Sequence, residues 1–130
     1  RAMAATGKPY MISFCTGTNG MVLDGTPLPE ALALIDQNSS CPPLGYFVNC
    51  THPQFILDAY RSGALNRLIG IQANASSKDV TRLDGSSTTE SDPVESWSRA
   101  MRELHAKHDV RILGGCCGTT LAHMRSLVTL

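Results

Sequence analysis

Three cysteines stand where chemistry can be done. Cys50 ends the string Phe47-Val48-Asn49-Cys50, and Cys116 and Cys117 stand side by side in Gly114-Gly115-Cys116-Cys117-Gly118-Thr119-Thr120. Each string follows a short apolar run that reads as a strand and precedes a stretch that reads as a helix. Thiolates suit a borderline-soft metal such as zinc, and a site with three protein ligands keeps one tetrahedral position open for substrate. A helix N-terminus also favours the thiolate, through its free N–H groups and its dipole. Gly114, Gly115 and Gly118 let the backbone turn sharply and come close to a metal. A plainer account fits the same letters. Cysteine is a common buried residue, and glycines after a strand often only make a turn. On the residues alone, a metal site and a redox or structural cysteine cluster both stay open.

The elements that must bring these cysteines together are legible as periodicity and caps. Apolar runs at 10–14, 46–48, 68–71 and 110–113 read as strands. They are nearly continuous rather than alternating, as for strands buried on both faces of a parallel sheet. A first helix is expected over 29–37, with Leu32 and Ile35 on its apolar face. A second follows Thr51, which reads as its N-cap, with Pro53 in the first turn, Gln54 at capping-box spacing and an end near Gly63. A third has Asp92 as cap, Pro93 at N1 and Glu95 at N3. Val94, Trp97, Met101, Leu104 and His105 share its apolar face. A last helix starts after Thr119-Thr120 and includes Met124 and Leu127. Four βα units in a row predict an α/β fold with parallel strands and right-handed crossovers. The C-terminal ends of such strands lie on one face, where Cys50 can meet Cys116 and Cys117. Residues 75–91, rich in Ser, Thr and Asp, read as a loop, either on the substrate side or simply solvated.

Bulk properties narrow the function classes. The chain of 130 residues fits one globular domain, with 42% hydrophobic and 17% charged residues. Its formal net charge is zero, and no basic stripe points to nucleic acid or to an anionic membrane. No apolar run is long enough to span a bilayer, and no signal-peptide pattern opens the chain. It begins with Arg1, which reads as a processed product, an excised fragment or a chain lacking its start. Five cysteines, an odd number, argue against a simple disulfide framework and for a reducing, cytoplasmic setting. Cys15 reads as a packed small residue and Cys41 as a loop residue. His52 is near Cys50 but is not expected to be a ligand. His105, His108 and His123 read as packing, solvent or capping residues, Trp97 as core, and Asp92 and Glu95 as caps.

The two cysteine strings, extended through Leu121-Ala122-His123-Met124, resemble the zinc signatures of the homocysteine S-methyltransferase family. Asp24-Gly25-Thr26-Pro27-Leu28 and Ala73-Asn74-Ala75 are similar to the family's stretches at the fifth and seventh barrel strands, so the resemblance covers the whole chain. It implies that residues 1–130 are the C-terminal half of a homocysteine-binding domain, four βα units of a (β/α)8 TIM-type barrel. It implies zinc on Cys50, Cys116 and Cys117, with Asn49 and Asn74 lining the substrate pocket. The implied reaction is methyl transfer to the thiol of homocysteine, giving methionine, within methionine biosynthesis. The spacing between the cysteine motifs is similar to members that use S-methylmethionine or S-adenosylmethionine as donor. The family's early strands, which hold the substrate amino group, have no counterpart in these residues. A half-barrel has open edges and a bare inner face, so a homodimer or a separate N-terminal half is expected as partner. The alternative is a truncated, catalytically inactive zinc-binding half-barrel.

Overall fold

A computed structural model describes residues 2–78 and 91–128. Much of the expected 75–91 loop therefore lies outside the described residues. After a 3-10 turn at Ala4–Thr6 the elements run β1 (Ile12–Phe14), α1 (Leu28–Asn38), β2 (Tyr46–Thr51), α2 (Pro53–Ser62), β3 (Leu68–Ala73), α3 (Val94–His108), β4 (Ile112–Gly115) and α4 (Leu121–Val128). The strands form one sheet in the order β1-β2-β3-β4, and every pairing is parallel. Each strand lies beside its sequence neighbour, as successive crossovers of one hand dictate. This is the α/β half-barrel architecture.

One face of the sheet is covered. Tyr46, Val48, Leu68 and Ile71 form a single core with Leu28 and Leu32 of α1, Ile56 of α2, Trp97, Met101 and Leu104 of α3, and Leu127 of α4. The strands were expected to be buried on both faces, and they are not. Burial alternates along β2, where Tyr46, Val48 and Thr51 are buried while Phe47, Asn49 and Cys50 are partly exposed. Ser13 and Gln72 are exposed, and Met11 and Ile112 are 47% and 50% exposed. The apolar runs thus supply an outer face packed on helices and an inner face without a covering layer among the described residues.

Several boundaries differ from expectation for local reasons. β1 begins at Ile12, later than the apolar run. Thr51 is not a cap: it is the last residue of β2, and His52 takes the N-cap of α2, its Nδ1 accepting from Gln54 N–H at 3.3 Å. Asp92 does not cap α3 either. Pro93 occupies the cap position without a side-chain bond, and the Asp92 carboxylate instead faces His52 Nε2 at 3.3 Å. His105 leaves the apolar face of α3. It is exposed, and its Nδ1 lies 3.1 Å from Val110 O.

The end of the sheet away from the cysteines is pinned by polar contacts. Tyr46 is fully buried, and its hydroxyl donates to Asp36 Oδ1 at 2.7 Å and lies 3.3 Å from Leu32 O. Burial, followed by the hydrogen bond to the Asp36 carboxylate, pushes the Tyr46 phenol well above its ordinary range. Arg67 pairs with Asp36, bonds Pro43 O and lies 5.4 Å over the Tyr46 ring.

Candidate functional site

The cysteines meet at the C-terminal ends of the strands. β2 carries Cys50, and the turn after β4 carries Cys116 and Cys117. Cys50 Sγ lies 2.8 Å from Cys116 Sγ, and Cys116 Sγ lies 3.8 Å from Cys117 Sγ. All three sulfurs lie within 4.8 Å of one another, a group able to hold a metal ion. Metal–sulfur bonds of about 2.3 Å in a tetrahedral centre require S···S edges of about 3.8 Å. The Cys116–Cys117 pair already has that spacing, while Cys50 and Cys116 stand closer and must open by about 1 Å to share a metal. The donor set, three sulfurs and no oxygen, suits a thiolate-binding metal.

Local backbone geometry sets these positions. Cys50 is a bulged residue: the β2–β3 register pairs Asn49 with Gln72 and Thr51 with Ala73, leaving Cys50 without an opposite number. Its φ is 49°, in the left-handed region. Such a conformation is uncommon for a residue with a Cβ and tends to sit at functional sites. A bulge re-aims a side chain that regular pleating would place elsewhere. On the other side, Gly118 has φ 74°, and Thr119 N–H and Oγ1–H both donate to Cys116 O, at 3.2 and 2.7 Å. A Cβ at Gly115 would stand 2.3 Å from Thr119 Oγ1, so this turn excludes a side chain there. Gly114 is not under the same demand, since a Cβ there meets nothing closer than 3.7 Å. Backbone bonds lace the β3 end to the β4 turn: Cys116 N–H to Ala73 O at 2.8 Å and Ala75 N–H to Cys117 O at 3.0 Å.

The expectation that helix N-termini acidify the thiols does not hold for Cys50. Burial, then the hydrogen bond with Cys116, pushes its thiol up to about 12. The helix that follows opens on Pro53, which has no N–H to offer. Cys116 behaves oppositely. Burial works against its thiolate, but hydrogen bonds from Cys50 and from the Cys117 backbone outweigh that and bring it below the ordinary thiol range. The contact thus drives the two thiols apart in acidity, Cys50 upward and Cys116 downward.

Asn49 is partly exposed beside Cys50, and its Oδ1 accepts from Ser13 Oγ at 2.6 Å. Asn74 is 4% exposed just past β3. Its Oδ1 accepts from Ser76 N–H at 3.1 Å, and its carbonyl accepts from Trp97 Nε1–H at 3.0 Å. His52 stands outside the sulfur group, occupied as a cap. Cys15, partly buried, lies with its Sγ 3.9 Å from Cys50 O, and Cys41 is exposed, away from the sulfur group. His123 does cap. As the N3 residue of α4 it accepts from Thr120 N–H at 3.1 Å, a capping-box arrangement with imidazole in place of a carboxylate. Its ring stands edge-on to Trp97 with centroids 5.0 Å apart. Two features escaped the sequence reading, the bulge at Cys50 and the His52–Asp92 pair. Neither is marked by a glycine, and Asp92 carries the signal of a cap rather than of a partner for His52.

A family model described as homocysteine S-methyltransferase matches residues 1–130. Neither a curated protein nor a solved structure gives a match. A match over the whole chain, together with two cysteine strings that converge on one site, places this protein in the homocysteine S-methyltransferase family.

Proposed function

We propose that this chain is the C-terminal half of a homocysteine-binding barrel and serves zinc-dependent methyl transfer to the thiol of homocysteine. The reading rests above all on the three cysteine sulfurs gathered within 4.8 Å at the strand ends. Cys50, Cys116 and Cys117 would hold zinc. Bound there, zinc would lower the pKa of a substrate thiol and keep its sulfur nucleophilic. Asn49 and Asn74 are assigned to the substrate pocket, one on each side of the β2–β3 end. The donor is a sulfonium compound, S-methylmethionine or S-adenosylmethionine. Its S–CH3 bond breaks as a new one forms to homocysteine, the thiol proton leaves, and the donor departs as a neutral thioether. The product is methionine, which places the reaction in methionine biosynthesis in a reducing cytoplasm.

The uncovered inner face of the sheet supports a second element of this reading. A closed pocket needs the remaining barrel strands, from a preceding segment of a longer chain, a separate N-terminal half or a second copy of these residues. The alternative is a half-barrel that binds zinc and turns nothing over. No helix among the described residues is long and apolar enough to cross a membrane.

Metal content per chain, measured with solution mass on protein purified under reducing conditions, tests the proposal. About one zinc per chain is expected, and it should disappear in Cys116→Ala. Retention of stoichiometric zinc by Cys116→Ala would sink the ligand assignment. Methionine formation from homocysteine and either donor separates the enzyme from the inert half-barrel. A monodisperse monomer that binds no apolar dye would refute the pairing of halves.

A further inference from the structure

The bulge that presents Cys50 is held from behind by one buried hydroxyl. Thr51 Oγ1 donates to Asn49 O at 3.1 Å, spanning the bulge, and accepts from Thr16 N–H at 3.0 Å and from Thr16 Oγ1 at 3.3 Å. A hydroxyl has one proton and two lone pairs, and this one uses all three. Thr51 and Thr16 are each 1% exposed. The Thr51 carbonyl in turn accepts from Asn74 N–H at 3.1 Å. The residue after the strained one is therefore tied on one side to the segment after β1 and on the other to the end of β3.

We propose that Thr51, with Thr16 as its partner, is a positioning residue for the metal centre. Its hydroxyl fixes the left-handed bulge that aims the Cys50 sulfur at Cys116 and Cys117. Without this clamp Cys50 relaxes toward ordinary extended backbone, where pleating turns its side chain away from the other two sulfurs. The inference rests on the metal reading given above and adds the device that makes Cys50 available as a ligand.

The test compares metal affinity in the full chain, by zinc competition with a chromophoric chelator and by the thiolate charge-transfer band of cobalt(II) in the same site. Thr51→Val keeps the branched shape and removes the hydroxyl. It should lose about 10–100-fold in affinity, the range typical of outer-shell partners, and shift the cobalt band. Thr51→Ser keeps the hydroxyl and should stay within about threefold of the parent chain. Tyr46→Phe removes a buried hydroxyl at the opposite end of the sheet. It should lower the melting temperature while leaving affinity and spectrum unchanged, which separates positioning from general destabilisation. Should Thr51→Val fail to fold, Thr16→Val removes only one donor to the clamp and should lose about 3–10-fold. Parent-like affinity and spectrum in the folded valine variant would overturn the proposal. A parent chain that takes up neither metal would overturn the metal reading, and this inference with it. Metal binding in the parent that survives loss of the hydroxyl overturns the clamp alone.

Discussion

The left-handed backbone at Cys50 yields a counterintuitive stability order. Two substitutions remove the sulfur, Cys50→Gly and Cys50→Ala, so neither retains this metal ligand. They differ in what they ask of a residue at φ 49°. Alanine keeps a Cβ and carries the left-handed penalty of about 1–2 kcal/mol. Glycine escapes that penalty but loses about 0.5–1 kcal/mol relative to alanine through the greater freedom of its unfolded chain. At mid-range the balance favours glycine by about 0.75 kcal/mol. In a chain of 130 residues that corresponds to about 2–4 °C in melting temperature. The assay is thermal and urea unfolding of both variants, followed by circular dichroism with a chelator and a thiol reductant present. Glycine should melt above alanine. Alanine equal to or above glycine would mean that the metal-free chain does not hold the bulge, and the reasoning about Cys50 would fail.

Other consequences are open to direct measurement. Metal-free protein treated with one equivalent of hydrogen peroxide should form the Cys50–Cys116 disulfide first, two thiols giving up two protons and two electrons while peroxide becomes two waters. The sulfurs need only close from 2.8 Å to a bond of about 2.05 Å, and peptide mapping that finds Cys15 or Cys41 oxidised first would count against the pairing. Trp97→Phe strips the Asn74 carbonyl of its buried donor at 3.0 Å and should cost about 1–3 kcal/mol in urea unfolding; an unchanged midpoint would show that the bond contributes nothing. Burial lowers the pKa of His123 below the ordinary histidine value. The unfolded chain therefore takes up this proton first, so the contribution of His123 to stability is complete above about pH 6.5 and is lost as pH falls toward the depressed folded pKa. His123→Gln keeps an acceptor at the N3 position and should flatten the acid-side fall; the parent slope in that variant would exclude His123 as its source.

Much of the fold is visible in the sequence because local and global signals agree. The apolar runs sit where the strands are, and Pro53 and Pro93 mark two helix starts to within a residue. The Gly-Gly-Cys-Cys string identifies a tight turn, although only Gly115 and Gly118 are sterically committed to it. What stays hidden depends on tertiary contact. Thr51 and His52 can both serve as caps. The choice goes to His52 because Thr16 claims the Thr51 hydroxyl, and Thr16 lies far away in sequence. The bulge at Cys50 leaves no mark because its strain is offset by those same distant bonds. The open inner face is hidden for a different reason, since an apolar run records that a strand is suited to burial on both sides, not that both covering layers are present.

β3 ends level with both neighbours, its last residue, Ala73, pairing with Thr51 and with Gly115. Adjacent strands lie about 4.8 Å apart, so the backbones of β2 and β4 run about 10 Å from one another. Yet Cys50 and Cys116 bring their sulfurs to 2.8 Å. They do so across the middle strand, whose end stays bonded to both neighbours, Asn74 N–H to Thr51 O at 3.1 Å and Ala75 N–H to Cys117 O at 3.0 Å. The length of the middle strand, a quantity usually associated with sheet stability, thereby becomes a condition for ligand convergence: one residue added after Ala73 would carry Ala75 N–H out of register with Cys117 O and unfasten the cysteine turn from its place beside Cys50, although every cysteine remained in the chain.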